Sequence, residues 1–90
     1  MEGMVRLPLT ATQIDAGRRL GARLRIARDG RDLAEVARAA GISPETLRKI
    51  ETGRLPSPGF GTVVSLSRVL ELPVEELAEI WTADSFAETA

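Results

Sequence analysis

Apolar residues recur along most of this chain at steps of three and four, the spacing of one face of an α-helix. Ile14, Gly17, Leu20 or Gly21, Leu24 and Ala27 form the first such series. The spacing predicts a helix over about 12–28, with Thr12 as its N-cap and Asp15 three positions on as an approximate capping box. Arg18, Arg19, Arg23 and Arg25 fall away from its apolar side, and Asp29-Gly30 is a stop and turn signal.

A second period begins after Asp32, whose carboxylate can accept from first-turn N–H groups, with Glu35 completing the box. Leu33, Val36, Ala37 and Ala40 share one face, and Gly41 ends the helix by taking the left-handed conformation. A third helix starts at once. Ser43 is a favoured N-cap, and Pro44 at the first helical position loses no hydrogen bond there. Leu47 and Ile50 point inward, Pro44, Glu45, Arg48 and Lys49 point outward, and Gly53 stops the helix.

Residues 54–59 contain two prolines and form a stiff loop. A fourth helix is predicted over about 60–71, burying Phe60, Val63, Leu66 and Val69 or Leu70. Pro73 opens a fifth, with Glu75 and Glu76 in its first turn, where negative charge suits the helix dipole. Its apolar side is Val74, Leu77, Ile80 and Trp81. The expected organisation is a flexible arm over 1–11, an all-α domain of five helices over 12–82, and a tail over 83–90.

The unit 32–53, two short helices joined by a tight turn, is the helix-turn-helix, which places side chains in the major groove of DNA. Composition narrows the alternatives. Ninety residues make one small domain, with a core of Leu, Ile, Val and Ala because only three residues are aromatic. No Cys or His is present, which removes disulfides, thiolate metal sites and the commonest general base. No glycine-rich phosphate loop or carboxylate cluster suggests an enzyme, and neither cofactor nor metal is expected. No apolar run suits a membrane span or signal peptide, so a cytoplasmic protein is expected. The net charge of −1 hides a division: residues 1–54 carry eleven basic and seven acidic side chains, while 55–90 carry one basic and six acidic. A basic front and an acidic back suit a protein that turns one end to a polyanion.

The chain also resembles the phage repressor and Cro group, or xenobiotic-response-element family. The resemblance rests on Val36-Ala37-Arg38-Ala39-Ala40-Gly41-Ile42-Ser43, on Leu47-Arg48-Lys49-Ile50-Glu51-Thr52-Gly53, and on Pro58, Val63, Leu66 and Leu70. It covers about 20–80 and implies a compact five-helix bundle of the lambda-repressor-like type. It implies further that Ala37 is the small residue between the two helices of the motif. Leu24 and Arg25 match the Leu-Arg pair of the first helix, and Arg28 matches the arginine that pairs with the acid of the Glu-x-Gly ending, here Glu51. Ser43, Pro44, Glu45, Arg48 and Lys49 match positions that face DNA, and Arg54 matches a phosphate contact. Three departures stand out. The link Arg28–Asp32 is about two residues short, so either the last turn of the first helix is lost or the pairing of Arg28 differs. Asp32 and Leu33 stand where polar phosphate contacts are frequent. Pro44 replaces a base-bonding side chain.

These readings assign roles. Arg48 suits the O6 and N7 edge of guanine, and Lys49 reaches the same groove. Glu45 either accepts from cytosine N4, excludes wrong bases, or stabilises the helix dipole. Arg31, Arg54 and Ser43, or the N-terminus of its helix, are the phosphate candidates. Such domains usually bind double-stranded DNA as symmetric dimers. Val74, Leu77, Ile80 and Trp81, with Leu55 at the edge, are the candidate interface, although Trp81 can equally close the small core. The leading expectation is a transcriptional regulator of bacterial or phage type, chiefly a repressor. The alternative is an antitoxin or partner-binding module that uses residues 71–90 for another protein.

Overall fold

The computed structural model describes residues 8–89, with side chains through Ala83. Five helices are present, α1 (Ala11–Arg28), α2 (Leu33–Ala40), α3 (Pro44–Glu51), α4 (Phe60–Val69) and α5 (Val74–Thr89), and no strand occurs among the described residues. The expected all-α bundle is therefore observed. Most of the expected arm, residues 1–7, lies outside the described residues.

Local chemistry sets the helix ends. α1 opens earlier than Thr12: Thr10 is the N-cap, its hydroxyl accepts from Gln13 N–H at 3.1 Å, and the Gln13 amide accepts from Thr10 N–H at 2.8 Å. This complete capping box replaces the one expected at Thr12 and Asp15. Asp29 closes α1 in the left-handed region at φ 52°. Asp32 caps α2 by accepting from Glu35 N–H at 3.0 Å, without the reciprocal Glu35 bond that the sequence suggests. Gly41 takes φ 77°, and Ile42 N–H reaches back to the Ala37 carbonyl at 3.0 Å, a Schellman closure that turns the chain directly into α3. α4 ends two residues before the expected boundary, and α5 continues to Thr89, so 83–89 extend the helix and do not form a separate tail.

α1 packs against α3 and α5, α2 against α3 and α4, and α4 against α5. Leu20, Leu24, Val36, Ala37, Leu47, Ile50, Leu66 and Leu77 form the centre of one core, closed by Ala40, Leu70 and Leu72. Phe60 does not join it. The residue is 74% exposed, at the first position of α4, where no preceding turn covers it. Two polar links fix α5 antiparallel to α1: the Arg19 guanidinium donates to the Ile80 carbonyl at 3.1 and 3.3 Å, and Arg23 meets Glu76 at 2.6 Å. Arg19 and Arg23 thus bind a neighbouring helix instead of facing away from the core as the spacing suggested.

Gly17 and Gly21 let α1 lie directly on the end of α3 and the loop after it. A Cβ on Gly17 would collide with Pro56, and one on Gly21 would collide with the Ile50 carbonyl oxygen and lie 3.0 Å from that of Glu51. These obstacles are backbone, or ring atoms fixed to it, and cannot rotate away. Gly21→Ala should therefore cost at least the ~1–3 kcal/mol typical of overpacking. Gly61, in the first turn of α4, has nothing within 4 Å of its missing Cβ. Gly61→Ala should be neutral or stabilise by up to ~1 kcal/mol. Urea unfolding of both variants checks this, and a neutral Gly21→Ala would contradict the close approach.

Candidate nucleic-acid interface

The candidate reading surface is the outer side of α3. Ser43 caps this helix, and its oxygen accepts from Thr46 N–H at 3.1 Å. The Ser43 and Thr46 hydroxyls also share a hydrogen bond at 2.9 Å, in which either can donate. Ser43 and the N-terminal backbone of α3 thus stand together at this helix end as the candidate phosphate donors. Leu47 and Ile50 are fully buried, while Pro44, Glu45 and Arg48 are exposed. Lys49 is half-buried and meets Glu45 at 3.6 Å in an i,i+4 pair, with the acid on the N-terminal side as helices prefer. The exposed position of this pair makes it weak and easily exchanged for DNA contacts.

α3 is anchored from behind by Arg28. Its Nε donates to Glu51 Oε2 at 2.7 Å, its Nη2 to Oε1 at 2.9 Å, and its Nη1 to the Arg31 carbonyl at 2.7 Å. The Glu51 side chain is 5% exposed and that of Arg28 is 17% exposed. Hydrogen bonding to Glu51 raises the Arg28 pKa although burial opposes it, so the guanidinium stays charged. The short link Asp29–Asp32 does not remove the last turn of α1, because Arg28 is its final residue.

The remaining candidates divide. Arg54 is exposed and makes no hydrogen bond or ion pair among the described residues. Arg31 leans on the end of α4, donating to the Val69 carbonyl at 3.3 Å. An open depression of about 370 Å³ lies between the ends of α1 and α3 and the start of α2, lined by Arg25, Arg28, Leu33, Arg48, Glu51 and Thr52. No cluster of acidic side chains among the described residues could hold a metal ion. No helix among them is long and apolar enough to cross a membrane.

A separate apolar groove of about 300 Å³ is lined by Leu20, Pro58, Phe60, Val63, Val74, Leu77 and Trp81, among others. It gathers three of the four candidate interface residues, but on unequal terms. Val74 is 37% exposed and Trp81 partly buried, whereas Leu77 is 2% exposed and belongs to the core. Ile80 packs on the core outside the groove. Phe60 is the residue that the periodicity missed, since its spacing from Val63 and Leu66 is that of a buried position.

Over residues 19–80 the chain matches the family described as helix-turn-helix domain, and it belongs to that family. The match spans the unit 32–53 and the helices that support it, in agreement with the resemblance to repressor-type domains. No curated protein matches the chain.

The Arg28–Glu51 pair generates a stability prediction. Glu51→Ala leaves the guanidinium largely buried without its partner and should cost roughly 3–5 kcal/mol. Replacing both residues, as Arg28→Met with Glu51→Leu, should recover most of that loss. The urea midpoints decide it, and a loss below about 1 kcal/mol for Glu51→Ala would show that the pair does not anchor α3.

Proposed function

We propose that the chain is a sequence-specific DNA-binding transcriptional regulator that reads the major groove with α3. The observation that carries this reading is the division of α3. Leu47, Ile50 and Glu51 are buried in contacts that fix the helix, while Pro44, Glu45 and Arg48 are exposed and take no part in the core. A helix held on one face and open on the other suits major-groove insertion. Arg48 makes no side-chain hydrogen bond or ion pair among the described residues, so its planar fork is available for guanine. Lys49 and Glu45 enter the groove as a pair that DNA can separate, and Pro44 can touch a thymine methyl. Arg54 and Arg31, with the N-terminal backbone of α3 at Ser43, hold phosphates and set register.

The regulator acts as a homodimer in the cytoplasm and represses by occupying its operator. One helix-turn-helix reads only a few base pairs, and a symmetric pair doubles the site. Phe60, Val74 and Trp81 on the apolar groove supply the contact. A second reading uses the same groove for a different protein. It is favoured by the acidic character of α5, on which Glu75 and Glu79 are exposed and suit a basic partner.

Selection of bound duplexes from random DNA tests the function. Wild type should enrich a palindromic site, and Arg48→Ala should lose ~1–3 kcal/mol of discrimination at one base pair of each half-site. Unchanged preference at every position would remove Arg48 as the reader, and no enrichment at all would sink the regulator. Sedimentation should give a dimer for wild type and a shift toward monomer for Trp81→Ala. A monomer at every concentration would leave the groove to another partner.

A further inference from the structure

We propose that the depression between α1, α2 and α3 seats one phosphodiester of the DNA backbone and that Arg25 is the residue that grips it. The inference rests on the DNA-binding reading and adds a contact to it. Three arginines and one carboxylate line the depression: Arg25, Arg28, Arg48 and Glu51. Both oxygens of Glu51 accept from Arg28, so no free carboxylate faces an incoming anion. The surplus charge comes from Arg25 and Arg48, both exposed and neither hydrogen-bonded nor ion-paired through its side chain among the described residues.

The other lining groups narrow the ligand. Leu33 offers no donor, and the Thr52 hydroxyl already donates to the Arg48 carbonyl at 2.9 Å. The site therefore presents guanidinium donors with hardly an open acceptor. That suits a group that only accepts, as a phosphate does, and disfavours the adenine and cytosine edges, which carry amino donors. The unfavourable neighbour is Asp32. Its carboxylate is engaged at the N-cap of α2, accepting from Glu35 N–H, and its field acts on Arg28. Arg25 stands on α1 and Arg48 on α3, so a strand gripped by Arg25 passes beside the reading face and sets its distance from Arg48. Arg25 is thus a positioning contact, required for affinity but blind to sequence.

Salt titration of DNA binding by wild type, Arg25→Ala and Arg25→Lys, on the duplex selected by wild type, tests the proposal. Arg25→Ala should weaken binding to all sequences alike and reduce the slope of log K against log salt by about 0.9 per protomer. Arg25→Lys should keep the slope. Methylphosphonate at the seated phosphate should weaken wild type and leave Arg25→Ala unchanged. Because Arg25 is exposed, its variants should unfold at the wild-type urea midpoint. Wild-type affinity and slope in Arg25→Ala, or a changed preference at one base pair only, would overturn the phosphate seat while leaving the regulator intact. Salt-independent binding by wild type would overturn both.

Discussion

The end of α3 is held by α1 through two contacts of different physics, and the rest of the molecule is arranged around them. One is the approach of Gly21 to the Ile50 and Glu51 carbonyls, so close that no side chain fits between the backbones. The other is the bidentate Arg28–Glu51 pair, desolvated enough that each partner needs the other. Eight residues of α3 make a helix too short to persist in water alone. Its form and direction come from these contacts and from Leu47 and Ile50 in the core. The glycines fix distance, and the ion pair fixes rotation, since a forked donor and a forked acceptor match in few orientations. Anchored in this way, α3 keeps Pro44, Glu45 and Arg48 on its outer face out of the core.

The same helix α1 also redistributes the charge of the chain. By sequence its arginines belong to a basic front of uniform character. In the fold Arg19 and Arg23 turn to α5, Arg28 turns to Glu51, and Arg25 is left at the rim of an open depression. The positive charge available to a ligand is therefore smaller than the count suggests and better placed, with Arg25, Arg48 and Arg54 as exposed side chains that no hydrogen bond or ion pair engages among the described residues. The acidic α5 also holds α1 in place through Glu76 and the Ile80 carbonyl.

Local chemistry was legible where one residue type has one use. Asp32 at the start of α2, Gly41 in the left-handed turn and Ser43-Pro44 at the head of α3 each satisfy a backbone requirement within a few residues. The buried faces of α2 and α3 followed from the period for the same reason. Thr10 and Gln13 escaped notice because Thr12 and Asp15 offer a similar pattern two residues on, and only the geometry of the first turn distinguishes them. Phe60 failed differently: its spacing is that of a core position, but it stands at the first position of α4, on the wall of a groove open to solvent.

The sequence by itself determined the helices, the caps of α2 and α3 and which face of the motif turns inward, because these depend on residues three or four positions apart. The tertiary structure alone decided that Gly17 and Gly21 are contact surfaces and that Phe60 and Trp81 share a groove. It also decided that Arg25 and Arg48 line one depression. Each of these depends on groups from different elements, and residue spacing carries no information about distances between helices.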